Sequence, residues 1–398
     1  MLTSISYHKA RTIAASNIKP ITRVESVAID EASGRVLAET VVAGLSVPSF
    51  DRAAMDGYAV RAKDILDSTR QNPKILKLVG ELHAGDTPKT AVKGGECIQV
   101  ATGAVMPRGS DAVVQVEAVE MNNGVVKVFQ PVSTLANVSQ QGEDIKEGDI
   151  ILKADAILNA GKIGALAALG LTKCRVYAKP VVAIFSSGEE VAAPGKKLRP
   201  GNIYDVNSHT IASVVSGSGG IPLISGIVGD NLEDIKTSIG EALKSDLVVI
   251  SGGSSVGKKD LLVEALDNWG KVLFHGIKVK PGAPILFALV QGKPFFGMPG
   301  PPASCLIQSL LFLGPAVRKM ARLPPQPPGA VVVKLERRVS GIAGRRQFLP
   351  VIIRGNEAVP VFKKSGTITS VAGTDGYIEI VEDIATIEKG ETVVVTLF

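Results

Sequence analysis

The run Leu247-Val248-Val249-Ile250-Ser251-Gly252-Gly253-Ser254-Ser255-Val256-Gly257-Lys258-Lys259-Asp260 reads as a buried strand emptying into a small-residue loop and then a helix start. Glycine has no Cβ, so the backbone N–H groups of such a loop can approach an anion closely, and the hydroxyls and lysines add donors and charge. In an open α/β sheet, ligands bind at the carboxyl ends of the strands. The loop is neither a Walker A loop nor a GxGxxG fingerprint, so its chemistry says only that a phosphate or another anion fits here. The same glycines would also serve a plain strand-to-helix turn.

Around this run, residues 179–322 alternate strand and helix. A short apolar strand Pro180–Phe185 ends in Ser186-Ser187-Gly188. A helix is expected from about Ser208 and a strand over Ile221–Val228. Asp230 is placed to cap a helix carrying Leu232, Ile235, Ile239 and Leu243 at helical spacing. The strand Asp246–Ile250, a helix from Asp260, strands at Val272–Val279, Ile285–Val290 and Pro294–Gly297, and a helix Pro302–Met320 complete the unit. Repeated βα units predict a doubly wound, mostly parallel sheet with helices on both faces.

The flanks differ. Residues 72–135 carry short β runs at Ile75–Val79, Cys97–Val100, Ala112–Val116 and Val125–Phe129, with the hairpin signal Asn123-Gly124 between two of them. Ile157–Leu171 reads as a tightly packed helix. Beyond the linker Pro324-Pro325-Gln326-Pro327-Pro328-Gly329, the runs Val331–Val333, Tyr377–Val381 and Thr392–Leu397 alternate at period two and predict a small β domain.

Bulk properties narrow the class. In 398 residues, 45% are apolar but only 4% aromatic, and the net charge is +6. That describes a Val/Ile/Ala/Gly-rich globular chain of several domains. The basic residues are scattered with few aromatics among them, which argues against nucleic-acid binding. Cys97, Cys174 and Cys305 lie far apart and read as reduced core thiols. His8, His83, His209 and His275 show no pairing, which argues against a zinc site or histidine triad. Met1–Asn17 lacks a signal-peptide apolar region and no run of 18 apolar residues exists, so the expectation is a soluble cytoplasmic protein with no membrane partner.

Carboxylates recur at turns: Asp56, Asp144, Glu189, Glu190, Asp205, Asp230 and Asp260. Each can cap a helix or a turn, and each can hold a hard cation bridging to a phosphate. Those from Glu189 onward should gather at one sheet edge, whereas spacing alone cannot bring Asp56 and Asp144 there. Lys278-Val279-Lys280-Pro281-Gly282, followed later by Gly297-Met298-Pro299-Gly300, suits an oxyanion pocket. The basic segment 334–364 (Lys334, Arg337, Arg338, Arg345, Arg346, Arg354, Lys363, Lys364) could line an anion site from the terminal domain.

Pro48-Ser49-Phe50-Asp51-Arg52-Ala53-Ala54-Met55-Asp56-Gly57-Tyr58-Ala59 resembles the signature of the molybdopterin molybdenumtransferases, the family that includes the gephyrin E domain. Ala101–Ala104, Gly142–Ile145, Phe185–Glu190, Asn202–Asn207, Ser251–Asp260, Lys280–Gly282 and Gly297–Gly300 agree with it in order, so the resemblance spans essentially the whole chain.

The resemblance implies four parts: an elongated N-terminal region (1–46 and 143–176), an inserted β domain (47–142), a molybdopterin-binding α/β domain (177–323) and a C-terminal β-barrel (324–398). It implies a homodimer with a shared active site and transient contact with other cofactor-biosynthesis proteins. Adenylated molybdopterin would bind, its phosphate bond would be hydrolysed with Mg²⁺, AMP would leave, and molybdate or tungstate would enter the dithiolene. By matching position, Asp56, Thr102, Asp144, Glu190, Asp230 and Asp260 take the catalytic places, with Glu190 and Asp260 on the metal. Ser187, Gly188, Asp205, Asn207, Ser251, Gly252 and Gly253 fall at cofactor-binding places, and Lys280, Arg345 and Ser365 at the oxyanion. Ala53, Ala283, Pro301 and the segment 139–141 depart from the family's usual serine, lysine, asparagine and arginines, leaving fewer cations. The alternatives are a molybdopterin adenylyltransferase and a non-catalytic gephyrin-like scaffold.

Overall fold

Val181–Ser187 and Leu247–Ser251 are buried almost throughout, because helices cover both faces of the sheet they form. The computed structural model describes residues 1–252, 261–267, 269–327 and 329–398. These divide into two compact units, one of residues 1–25 with 177–398 and the other of residues 26–176.

The first unit is built on a seven-stranded sheet in the order Leu2–Ile5, Gly270–Ile277, Leu286–Val290, Lys293–Met298, Leu247–Ser251, Val181–Ser187, Ile221–Val228. Side chains alternate between two cores. Val182, Ile184, Leu247 and Val249 face the helices Tyr7–Asn17, Asn207–Gly217 and Pro302–Gln308. Ala183, Phe185, Val248 and Ile250 face Leu232–Ala242 and Leu261–Leu266. The expected doubly wound arrangement is therefore present.

Its parallel character breaks at Leu286–Val290, which runs antiparallel to both neighbours. Gln291 and Gly292, at φ +49° and +81°, make the tight two-residue hairpin that returns the chain. The helix expected over Pro302–Met320 is continuous, but Ser309–Leu313 forms a π turn. Pro315 has no N–H to give that turn, and the wider winding accommodates it.

The first 25 residues group with this unit and not with residues 26–176. Leu2–Ile5 is an edge strand of the sheet, parallel to Gly270–Ile277. Tyr7, Ala10, Ala14 and Ile18 of the following segment enter the core beneath it.

After residue 323 five strands close on themselves. Arg346–Arg354 pairs with Glu357–Pro360 and Gly376–Ile380, Thr392–Leu397 joins Gly376–Ile380 to Ala330–Leu335, and Ala330–Leu335 returns to Glu357–Pro360. Val333, Leu335, Val351, Ile378, Ile380 and Val395 fill this barrel. Val279–Lys280 is laid along Arg346–Gln347 as an additional parallel strand, tying the barrel to the α/β layer.

The second unit centres on a six-stranded sheet ordered Ala112–Gln115, Gly57–Val60, Glu96–Val100, Lys74–Leu82, Val125–Val128, Val119–Asn122. Asn123-Gly124 makes the predicted hairpin, with both residues at positive φ. Its first strand is Val119–Asn122 rather than Ala112–Val116, because a 3₁₀ turn at Val116–Ala118 ends the earlier strand. The helix expected near Ile157–Leu171 is Ala160–Ala168, capped by Asn159.

Candidate functional site

Two loops meet at the carboxyl ends of the central strands. Gly252 sits at φ +92°, and a Cβ there would lie 2.5 Å from the carbonyl oxygen of Ser187. Only glycine permits this approach. Gly188 sits at φ +144°, a conformation that strains any residue with a side chain.

Beneath the loops lies a buried hydroxyl cluster. Ser186 Oγ donates to Asp205 Oδ1 (2.7 Å) and lies 2.9 Å from Ser208 Oγ and 3.1 Å from Ser251 Oγ. The same carboxylate oxygen accepts the N–H of Ser208 (3.0 Å), capping the helix Asn207–Gly217. Asp205 and Ser251, expected at the cofactor, are therefore turned inward and hold the loops in place. Asn207 donates through Nδ2 to the carbonyl of Gly300 (2.8 Å), which draws in the loop ahead of the helix at Pro302.

Asp230 does not cap its helix. Asn231 does, accepting the N–H of Asp234 at 2.9 Å. Asp230 instead accepts the Ser187 hydroxyl (2.7 Å) and the N–H of Glu189 (3.4 Å), fixing the loop that carries Gly188 and Glu190. Glu190 is exposed, and its carbonyl accepts from Ile203 N and Asn202 Nδ2. Gly253 and Asp260 lie outside the described residues. Among the described residues no three His, Cys, Asp or Glu side chains gather to hold a metal, and no helix is long and apolar enough to cross a membrane.

Lys280, Arg345 and Ser365 converge. With Ala283, Gln347, Lys363 and Lys364 they line one cavity of about 820 Å³ between the Lys280–Ala283 turn, the helix starting at Pro302 and the barrel. Among the described residues no Asp or Glu lines it. The basic segment 334–364 thus divides. Arg345, Lys363 and Lys364 reach the cavity, while Arg346 is buried against Glu379 (2.6 Å) and Glu382 (3.0 Å). Burial pushes the Arg346 pKa down, but the hydrogen bond and charge of Glu382 and the charge of Glu379 outweigh it, and the net direction is up. Arg338 pairs with Glu388 and Arg337 donates to the carbonyl of Pro360.

In the second unit the structure joins Asp56 and Thr102. Asp56 Oδ1 accepts both the N–H (2.7 Å) and the hydroxyl (2.8 Å) of Thr102. These donors hold the carboxyl below its ordinary pKa, so it is ionised at neutral pH. Gly57 fixes its place, because a Cβ there would lie 2.1 Å from the carbonyl of Val114. Asp144 is an exposed turn residue whose N–H donates to Val47 O at 3.1 Å. Spacing gave no sign of Ser186, Ser208 or Gln347. The run Ser186-Ser187-Gly188 at a strand end was the one available signal for the first.

Comparison with known proteins accounts for all three regions. Residues 5–170 match the model of the MoeA N-terminal region (domain I and II), 183–319 a probable molybdopterin binding domain, and 332–398 the MoeA C-terminal region (domain IV). A molybdopterin molybdenumtransferase 2 of Mycobacterium tuberculosis is 32% identical over 384 residues, covering 94% of this chain and 93% of that one. The molybdopterin molybdenumtransferase of Haemophilus influenzae is 29% identical over 99% of this chain and 98% of its own length. The crystal structure of a molybdopterin biosynthesis MoeA protein from Pyrococcus horikoshii superposes with a TM-score of 0.87 at 38% identity, covering 99% of both chains. The glycine-confined strand ends, the basic cavity and the Asp56 signature thus occur in one order along a full-length match, and the chain belongs to the molybdopterin molybdenumtransferase family.

Proposed function

We propose that this transferase inserts molybdate, or tungstate, into adenylated molybdopterin with release of AMP. The observation that carries the reading is the cavity holding Lys280, Arg345 and Ser365, with Lys363 and Lys364 beside them and no carboxylate in its lining. A tetrahedral dianion has four acceptor oxygens and no donor, so it is held by charged donors of this kind. The helix Asn207–Gly217 starts beside the ends of the strands Val181–Ser187 and Leu247–Ser251 and directs its positive end towards them, which would favour the substrate phosphates there.

Mg²⁺ fits the hard oxygen chemistry of Glu190 and Asp260, since this ion takes one or two carboxylates and leaves its other positions to water and phosphate. Bound there, it would neutralise charge on the leaving phosphate. Asp56, ionised beside Thr102, would orient the phosphate-bearing end of the substrate or its attacking water, and Asp144 belongs to the same proposed set. In this reading a homodimer in the cytoplasm supplies the Asp56 set from a second copy. Division of residues 26–176 near 47 and 142 belongs to it as well.

The adenylyltransferase alternative is not favoured, because matches extend through N- and C-terminal regions that lie outside the α/β domain. The test is incubation with adenylated molybdopterin, Mg²⁺ and molybdate or tungstate, following AMP release and reconstitution of an apo-molybdoenzyme. Absence of both products with either oxyanion would refute the reading.

A further inference from the structure

The cavity wall also carries an amide whose nitrogen is buried and which lies outside the expected set of site residues. Gln347 lies in the barrel strand Arg346–Arg354, and it is the register partner of Lys280 across the parallel pair Val279–Lys280/Arg346–Gln347. Register partners in a sheet lie side by side with side chains on one face. Both residues line the same cavity, together with Arg345 and Ser365. Gln347 Nε2 is buried and has no hydrogen-bond partner among the described residues. Native structures rarely leave such a donor unsatisfied, and an orphaned one in a cavity wall calls for a ligand acceptor.

The rest of the lining identifies that acceptor. Lys280, Arg345, Lys363 and Lys364 bring positive charge and no Asp or Glu brings any negative charge. Lys363 also donates to Thr369 Oγ1 (3.1 Å), so its charge is steered rather than free-swinging. A lining whose charged groups are all donors favours a fully ionised tetrahedral dianion over a protonated one such as hydrogen phosphate, whose hydroxyl gains no ionised acceptor here. Lysines attract any anion. A neutral amide adds direction instead, because its hydrogen bond forms only when an oxygen stands in the right place.

We propose that Gln347 is a specificity-determining residue of the oxyanion pocket, donating through Nε2 to an oxygen of molybdate or tungstate held between Lys280 and Arg345; this rests on the functional reading above. Here Ala283 lines the same cavity with no charge of its own, so no cation at that position competes with the amide.

The experiment compares the wild-type chain with Gln347→Ala, Gln347→Glu and Lys280→Ala. One readout is direct binding of radiolabelled molybdate by equilibrium dialysis, with sulfate and hydrogen phosphate as competitors. The other is AMP release titrated separately against molybdate and against adenylated molybdopterin. Gln347→Ala should raise half-saturating molybdate about tenfold or more, the value of one hydrogen bond to a charged acceptor, and leave the pterin titration unchanged. Gln347→Glu, of the same shape, should raise it at least tenfold further by setting a like charge against the dianion. Hydrogen phosphate should compete better in that variant, which now offers an acceptor. Equal shifts on both titrations, or none in either Gln347 variant while Lys280→Ala weakens molybdate binding, would overturn the role of Gln347 and leave the cavity as the oxyanion site. Wild-type behaviour in all three variants would remove the oxyanion from this cavity altogether. Gln347→Glu keeps the proposal testable if Gln347→Ala fails to fold, as thermal melting would reveal.

Discussion

Asp56 owes its lowered pKa to one neighbour. Thr102 offers it two hydrogen bonds, from N–H and from hydroxyl, and these outweigh the small effect of desolvation. Thr102→Val removes one of them without touching the backbone. The Asp56 pKa should then rise towards its ordinary value, and the acidic limb of the pH profile for AMP release should move to higher pH. Asp56→Ala should lower AMP release at least tenfold, about 1.4 kcal/mol in the barrier, with circular dichroism unchanged because the residue is exposed. Unaltered turnover in both variants would take this carboxylate out of the site. Asp56 was legible in the sequence through its signature. The bond to Thr102 was not, since 46 residues separate them and only the pairing of Gly57–Val60 with Glu96–Val100 brings the two strands together.

At the scale of elements, the helix Asn207–Gly217 shows what periodicity reveals and what it hides. Its start near Ser208 and the strand Ile221–Val228 followed from the pattern of apolar residues. The antiparallel Leu286–Val290 did not, because a fully buried strand reads alike in either direction. Nor did the inward turn of Asp205, for a capping carboxylate and a ligand-facing one look the same until the serines around it are placed. Asp205→Ala would cost the cap and leave Ser186 with one acceptor fewer, about 1–3 kcal/mol of stability. The pterin half-saturation should also rise, since the loops at Gly188 and Gly252 rest on this cluster. A chemical denaturation curve superimposable on wild type would show that the cluster does not hold the helix start.

For the molecule as a whole, the N-terminal segment is where sequence reading and structure part most clearly. Residues 1–25 carry no α/β signature of their own, and their membership of the first unit comes from long-range contacts that local spacing does not encode. Tyr7 packs edge-on against Phe312 and Phe348, joining the long helix to the barrel strand that bears Gln347. Farther along, Arg23 forms two hydrogen bonds to Asp246 (2.6 and 2.7 Å), and Asp246 also accepts the N–H of Val181. Tyr7→Ala should therefore destabilise the first unit by about 3–5 kcal/mol, the usual range for emptying a buried aromatic site.

The Arg23–Asp246 pair gives a pH-dependent counterpart. Burial pushes the Asp246 pKa up, but the hydrogen bonds from Arg23 and Val181 and the charges of Arg23 and Lys293 pull it further down, so its folded value lies below the unfolded one. A group depressed in this way contributes its full stability above the unfolded pKa of about 4 and loses it as pH falls through the folded value. Asp246→Asn should cost about 1.5–3 kcal/mol at pH 7, the worth of hydrogen bonds to a charged group. Because the wild type surrenders the same contribution in acid, the difference between the two proteins should shrink as the pH is lowered below about 4. Urea melts at pH 7 and pH 3 measure both gaps. A difference that stays constant between them would mean that the packing of the segment, and not this ion pair, fastens the N-terminus to the sheet.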